Sequence, residues 1–464
     1  MTVRRPIRRR LMGTHVATVR APRPARAVGS GSVQFLLGFG SILGVGTLLL
    51  SLPVSTESGH ATPVLDAFFT ATSALCVTGL VVVDTQAHWN FFGEAVILAL
   101  IQIGGLGYMA GASVVLWIIG GRLGVRDQYM LRLYYGAPTM GETLTFVRRV
   151  VLYAVGFEAV GALVLFLAFG MAGVGWARSV WWGIFHALSA FNNAGFNVTG
   201  VDLIPFADVP YVIIPHAILI VFGGLGAVPV LTALQRRSWR RLNLDSRLIF
   251  VTSACLILGG TAFIAAAEWR NEATLGALSP WHRIDVAFFQ AVTPRTAGFS
   301  AIDIGKASEE SLFFLLGLMF IGGAAGSTAG GIKVGTLAIL IAAVVAVLLG
   351  RDEVSAFGRR VHRGVILQAL AIVVTFLAML FVLTVALLAT TDFDSLATLF
   401  EVQSAMGTVG LSTGITPSVG AAGKVILIVG MLFGRFGPLV MVLEMTRVRR
   451  KSIFRLPEDS IRLG

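Results

Sequence analysis

The chain has 464 residues, 56% of them hydrophobic and only 13% charged, with 54 glycines and a mean hydropathy of +0.83. No soluble domain of this length has a core large enough for so much apolar side chain, so the composition excludes a soluble globular protein and points to a polytopic membrane protein. The net charge of +12 is no argument for nucleic acid, because its sources flank apolar stretches, where Lys and Arg set topology.

In chain order, a basic tail over 1–32 carries Arg4, Arg5, Arg8, Arg9 and Arg10 and suits anionic lipid or a partner. Apolar windows near the roughly 20 residues needed to cross a bilayer follow at 33–53, 91–119, 148–173, 211–234, 247–267, 311–349, 364–389 and 424–445. That is eight spans, one of them too long for a single crossing. The first window is itself long enough to span, so no cleavable signal peptide is expected. The 36 lysines and arginines concentrate in the tail, the 120–149, 236–247 and 351–363 loops and the C-terminus. Opposite segments hold only Arg178, Arg270, Arg283, Arg295, Lys306 and Lys424. Both termini are therefore expected in the cytoplasm.

Between the two spans of each pair lies a related segment: FTATSALCVTGL at 69–80, FHALSAFNNAGF at 185–196, FFQAVTPRTAGF at 288–299 and FEVQSAMGTVGL at 400–411. With Gly79, Gly195, Gly298 and Gly410 in register, Phe69, Phe185, Phe288 and Phe400 each stand ten residues earlier. A bulky apolar residue follows each glycine. The second span of each unit then carries a glycine doublet or its remnant, at Gly104-Gly105, Gly223-Gly224, Gly322-Gly323 and Gly434-Arg435, between 24 and 28 residues after the first glycine. The repeating unit is helix, re-entrant segment, helix, and four such units in one chain suffice to surround an axis.

Irregular backbone at membrane depth survives only where it is buried in protein or lines a watery cavity. A turn after a short helix leaves carbonyls without partners, and a dehydrated cation supplies one. Glycine permits the positive φ that such a turn needs without a side chain narrowing the path. The candidate ion-binding residues are therefore Val77, Thr78 and Gly79; Asn193, Ala194 and Gly195; Thr296, Ala297 and Gly298; and Thr408, Val409 and Gly410, with the tightest carbonyl ring expected at glycine. The bland alternative, that each glycine is an ordinary tight turn, weakens when four copies align. The short helices would turn their negative C-terminal ends toward the ion.

These motifs resemble the Trk/Ktr/HKT superfamily of cation transporters, and the eight-span layout is similar to its bacterial Ktr branch; the two extra N-terminal spans typical of the Trk branch are absent. The resemblance covers about 33–446. It implies an all-α, K+ channel-like fold with four helix–pore loop–helix repeats around a pseudo-fourfold pore. It also implies a K+-uptake subunit with K+ at the filter carbonyls, no covalent cofactor, and Na+ activation left open. The expected setting is the bacterial cytoplasmic (inner) membrane, and the expected partners are a second copy of the chain, membrane lipid and a cytoplasmic RCK nucleotide-binding ring of the KtrA type. In plant relatives a serine in the first filter goes with Na+, so Gly79 favours K+. The domain boundaries that follow are 33–119 for repeat 1, 120–235 for a cytoplasmic loop and repeat 2, 236–350 for a loop and repeat 3, 351–446 for a loop and repeat 4, and 447–464 for the C-terminal tail.

The third unit departs from the others. After its doublet comes a run of small residues, Gly323, Ala324, Ala325, Gly326, Ser327, Thr328, Ala329, Gly330 and Gly331, in which each interior glycine weakens a helix by roughly 1 kcal/mol relative to alanine. Two helical halves joined by a small-residue loop are expected. Arg435 stands where the other units place the second glycine of the doublet, and an intramembrane charge faces a bundle interior or cavity. It is expected to donate to the loop carbonyls and to oppose cations, as a gate, a role that the resemblance also implies; the alternative is an ion pair with a pore-helix carboxylate. Lys333 either supports the loop or snorkels to the cytoplasm.

Asp84 and Asp303, each five residues beyond its glycine, are candidates for an acidic outer mouth or for plain capping duty, with Asp202 a weaker third. Glu158 is read as a buried structural acid ahead of an ion or proton site. Arg295 is expected to pack behind the third filter, and Asn192 and Asn193 to buttress the second. Cys76 and Cys255 give no disulfide framework, and the seven histidines show no metal spacing, which argues against an enzyme. The remaining rival is a proton- or Na+-coupled secondary transporter, which would need ionisable relays at mid-membrane.

Overall fold

In a computed structural model, backbone is described for residues 28–107 and 143–447, and side chains within them at 37–107 and 147–437. The basic tail, the end of the expected 91–119 span, most of the 120–149 loop and the residues after 447 lie outside the described residues. The chain divides into two units, one up to Ser41 and one from Ile42 onward. The first contributes the opening of helix α1 (Val28–Ser51).

The larger unit is helical. It runs through α2 (Val64–Cys76), α3 (Phe91–Gly105), α4 (Thr143–Met171), α5 (Trp176–Phe191), α6 (Pro210–Leu225), α7 (Ala227–Arg236), α8 (Leu244–Glu268) and α9 (Pro280–Val292). There follow α10 (Glu309–Met319), α11 (Val334–Leu348), α12 (Arg363–Leu388), α13 (Ser395–Gly407) and α14 (Ala421–Arg447). A two-residue hairpin, β1 (Ser355–Ala356) with β2 (Arg359–Arg360), joins α11 to α12. Side-chain caps set several starts: Asn90 accepts from the N–H groups of Phe92 and Gly93, Asn243 from Ser246 and Asp394 from Leu396.

Among the described residues, three helices are long and apolar enough to cross a membrane, at Val147–Met171, Leu244–Glu268 and Arg363–Leu388. The expected span at 211–234 is not one rod: α6 and α7 meet at Gly226 with a bend of 90°. Gly226 has φ +75°, and a Cβ there would crowd Ser327 of the small-residue loop. The window at 311–349 divides, with α10 and α11 separated by non-helical backbone over 320–333. Phe69, Phe185, Phe288 and Phe400 lie inside the short helices α2, α5, α9 and α13.

Burial is arranged as a bilayer requires. On α12, Val374, Leu377, Phe381 and Val385 are exposed, whereas Thr70, Thr72, Ser73, Ser189, Gln403 and Ser404 on the short helices are buried. An apolar exterior of this extent has no stable place in water.

The first glycine of each doublet is a point of close approach. A Cβ on Gly104 would strike the Leu75 carbonyl, one on Gly223 the Phe191 carbonyl and one on Gly434 the Met406 carbonyl, so α3, α6 and α14 each touch the C-terminal end of the short helix before them. Gly224, one residue on, would meet only the Asn193 amide at 3.4 Å. Gly223→Ala therefore costs about 1–3 kcal/mol by overpacking, and Gly224→Ala much less. Thermal unfolding in detergent checks the pair, and equal melting temperatures would contradict this packing.

Candidate functional site

Four turns follow the four short helices, and their backbones share one conformation. Val77, Asn193, Thr296 and Thr408 all have positive φ, at 58°, 57°, 75° and 51°. Two residues later Gly79, Gly195, Gly298 and Gly410 are again positive, at 89°, 70°, 80° and 97°. For side chains other than glycine this region is costly, so the surrounding structure must hold it. It does so through hydrogen bonds directed back into the short helices. Thr78, Ala194, Ala297 and Val409 donate their N–H groups to the carbonyls of Ser73, Ser189, Thr293 and Ser404, at 2.8, 2.8, 2.9 and 2.8 Å.

Beyond these N–H bonds the four turns meet at their glycines. A Cβ on Gly79 would lie 2.9 Å from Gly195 Cα, one on Gly195 would lie 3.1 Å from Gly298 Cα, one on Gly298 would lie 3.0 Å from Gly410 Cα, and one on Gly410 would lie 3.1 Å from Gly79 Cα. The circuit closes in chain order. The nearest backbone oxygens along it belong to Ala194, Ala297, Val409 and Thr78, so the ring of oxygens found against the glycines comes from the residue before each glycine. The hydroxyls of Thr78, Thr296 and Thr408 are buried there and have no hydrogen-bond partner among the described residues.

Hydroxyl groups of the short helices brace each turn. Ser73 and Ser404 accept from the N–H groups of Gly79 and Gly410, at 3.1 and 3.0 Å. Ser189 and Thr293 donate to the carbonyls of Phe196 and Phe299, at 2.7 and 2.6 Å. The sequence reading missed these residues. Their signal was a serine six residues before the glycine in three copies, obscured in the third, where the hydroxyl residue stands one position later.

The small-residue loop lies against the lower ends of the turns. Thr328 donates to the Phe191 carbonyl and the Asn193 side-chain oxygen, at 3.3 and 3.2 Å, and a Cβ on Gly330 would collide with Thr408. Ala324 N–H donates to the Gly224 carbonyl at 2.8 Å. Arg435 uses both guanidinium ends: Nη1 donates to the Thr328 carbonyl at 2.6 Å and Nη2 to the Gly104 carbonyl. Lys333 Nζ turns back to the carbonyls of Ala329 and Gly330, at 2.6 and 3.2 Å. One guanidinium thus ties the loop of the third repeat to the first and fourth.

Asp84 and Asp303 are engaged as caps. Asp84 Oδ1 accepts from Ala87 N–H at 2.7 Å and Asp303 Oδ1 from Gly305 N–H at 3.1 Å, while Asp303 also pairs with Lys306 at 3.1 Å. Asp202 links two turns, accepting from Leu203 N–H at 2.9 Å and from Ser300 N–H, beyond the third glycine, at 2.6 Å. Burial pushes its carboxyl up to about 8 although both N–H groups favour the ionised form. Glu158 accepts from Gln102 Nε2 at 3.0 Å and from Asn192 Nδ2 at 3.0 Å, and Arg295 reaches Ser253 on α8 at 3.0 Å. Among the described residues no group of three or more His, Cys, Asp or Glu side chains is placed to hold a metal.

Apolar helices around a polar interior, with four glycine-bearing turns meeting in a closed ring, define a helical membrane protein. The family model for cation transport proteins of the TrkH type matches residues 43–452, and the chain belongs to that family. It is 36% identical to the Ktr system potassium uptake protein B of Bacillus subtilis, over 92% of this chain and 95% of that protein. It is 35% identical to the potassium/sodium uptake protein NtpJ of Enterococcus hirae, over 92% and 96%. The solved potassium transporter TrkH from Vibrio parahaemolyticus superposes with a TM-score of 0.67 over 91% of this chain and 86% of that one, a likeness of fold at 22% identity.

Proposed function

We propose that the chain is the membrane subunit of a Ktr-type potassium uptake system and conducts K+ through the ring of four turns. The observation that carries this reading is the closed circuit of Gly79, Gly195, Gly298 and Gly410, with the carbonyls of the preceding residues beside it. Such a ring replaces the hydration shell of a cation at low cost because its oxygens are already held in place. The flanking Val77, Asn193, Thr296 and Thr408 complete the filter. Eight spans form four repeats with the boundaries expected from the sequence, and both termini face the cytoplasm of a bacterium from its inner membrane. The loop 323–331 with Lys333 and Arg435 is the gate, closing the path beneath the filter by bulk and by positive charge. A second copy of the chain and a cytoplasmic nucleotide-binding RCK ring are its partners, by analogy with the Ktr system named for its relatives.

A proton- or Na+-coupled transporter is the alternative. Its candidate relay acid, Glu158, is already engaged, with both oxygens accepting from Gln102. Purified protein in K+-loaded liposomes separates the two readings. Rb+ entry down its own gradient, unchanged when the proton and Na+ gradients are collapsed, supports the pore. A fixed stoichiometry of H+ or Na+ per Rb+ supports coupling.

A further inference from the structure

Behind the ring, three polar side chains reach past the glycines. His186 and Glu401 stand nine residues before Gly195 and Gly410, and Gln290 stands eight before Gly298. All three are buried, at 0%, 0% and 1% exposure. Each meets the main-chain N–H three residues beyond its own glycine. His186 Nε2 accepts from Val198 at 3.4 Å and Glu401 Oε1 from Thr413 at 2.9 Å. Gln290, with its amide oxygen turned to the loop so that acceptor faces donor, accepts from Ala301 at 3.2 Å and from Ile302 at 3.2 Å.

The contact between His186 and Val198 is set by a chain of tautomers. His216 Nδ1 lies 2.7 Å from the Val212 carbonyl, so it carries a proton, and its Nε2 must accept. That nitrogen lies 3.1 Å from His186 Nδ1, which therefore donates, leaving His186 Nε2 as the acceptor for Val198. Only the neutral pair satisfies every contact. Phe299, next to the third glycine, packs on both rings with centroids 5.9 and 5.6 Å away. In the fourth repeat Glu401 also accepts from the hydroxyls of Ser412 and Thr416, both at 2.6 Å. In the first repeat the equivalent position is Thr70, whose hydroxyl donates to Asp66 in its own helix at 2.9 Å. Among the described residues no side chain of α2 reaches Val82 N–H.

We propose that His186, Gln290 and Glu401 are positioning residues that fix the outer ends of the second, third and fourth filter segments, and that the first segment, lacking such an acceptor, is the compliant quarter of the ring. The proposal rests on the filter reading above. A carbonyl ring discriminates ions through the distance and orientation of its oxygens, and an anchored N–H three residues away limits how far the intervening peptide planes rotate.

The test is the ratio of Rb+ to Na+ entry in liposomes for His186→Leu, His186→Gln, Glu401→Leu, Glu401→Gln and Thr70→Val. Loss of the acceptor in the two leucine variants lowers the ratio roughly tenfold, as expected when a buried donor is left unpaired beside the selecting groups. His186→Gln keeps an acceptor oxygen and restores most of the ratio, and Thr70→Val leaves it at the wild-type value. A role in folding alone would reduce protein yield and total flux without moving the ratio. Should Glu401→Leu fail to fold, the two His186 variants carry the test, and Glu401→Gln keeps most of the ratio because its amide oxygen still accepts. The proposal is overturned if folded His186→Leu and Glu401→Leu keep the wild-type ratio, or if Thr70→Val lowers it as much. A wild type that does not distinguish Rb+ from Na+ would instead refute the filter itself.

Discussion

Arg435→Ala raises cation flux roughly tenfold in liposomes if, as proposed, the arginine gates the path, because the substitution then removes both a plug and a repelling charge that is worth several kcal/mol at close range in a partly desolvated site. The guanidinium holds the loop by the Thr328 carbonyl and holds itself by the Gly104 carbonyl. Without it the loop loses its ties to Arg435 and, through it, to Gly104, keeping its internal bonds, Lys333 and its bonds to Phe191, Asn193 and Gly224 through Thr328 and Ala324. Arg435→Lys gives an intermediate rise, since an ammonium retains the charge but cannot bridge two carbonyls in a fixed fork. Deleting 323–331 gives the largest rise. Wild-type Rb+ flux in all three variants would show that neither the loop nor the arginine limits passage.

Gly79→Ser lowers K+ over Na+ discrimination by roughly an order of magnitude, the effect of about 1.4 kcal/mol on relative ion binding. Two strains act together. The residue needs φ +89°, and the new Cβ would press on the Ala194 carbonyl and on Gly195 Cα at 2.9 Å. The carbonyl must move or the first turn must withdraw, and either change widens the ring. Total flux falls less than discrimination does. Competition between Rb+ and Na+ for entry measures both quantities in one experiment, and an unaltered preference would remove Gly79 from the ring.

The four turns were legible because one physical demand recurs at nearly fixed spacing: a short helix followed by a positive-φ glycine, and in three of the four a second glycine where the next helix touches the first. The division of the 311–349 window was legible for a related reason, as the run from Gly322 to Gly331 cannot sustain a helix. The bend at Gly226 was not. Hydropathy registers how apolar 211–234 is and not its direction, and the space that Gly226 leaves for Ser327 belongs to another repeat. Nor could spacing reveal that His186 and His216, thirty residues apart, face each other across α5 and α6. For Asp84 and Asp303, read as an acidic mouth or as caps, the capping contacts are present, from Ala87 N–H and Gly305 N–H. At the glycines themselves the neighbouring turns come closest, and the backbone oxygens nearest that approach belong to Thr78, Ala194, Ala297 and Val409.

The most direct measurement is a crystal of the protein grown with Rb+ and examined by anomalous scattering at the rubidium edge. A peak enclosed by the turns at Gly79, Gly195, Gly298 and Gly410, lost when Na+ replaces Rb+, is the predicted result. Rubidium bound only elsewhere, with no density inside that ring under saturating salt, would contradict it.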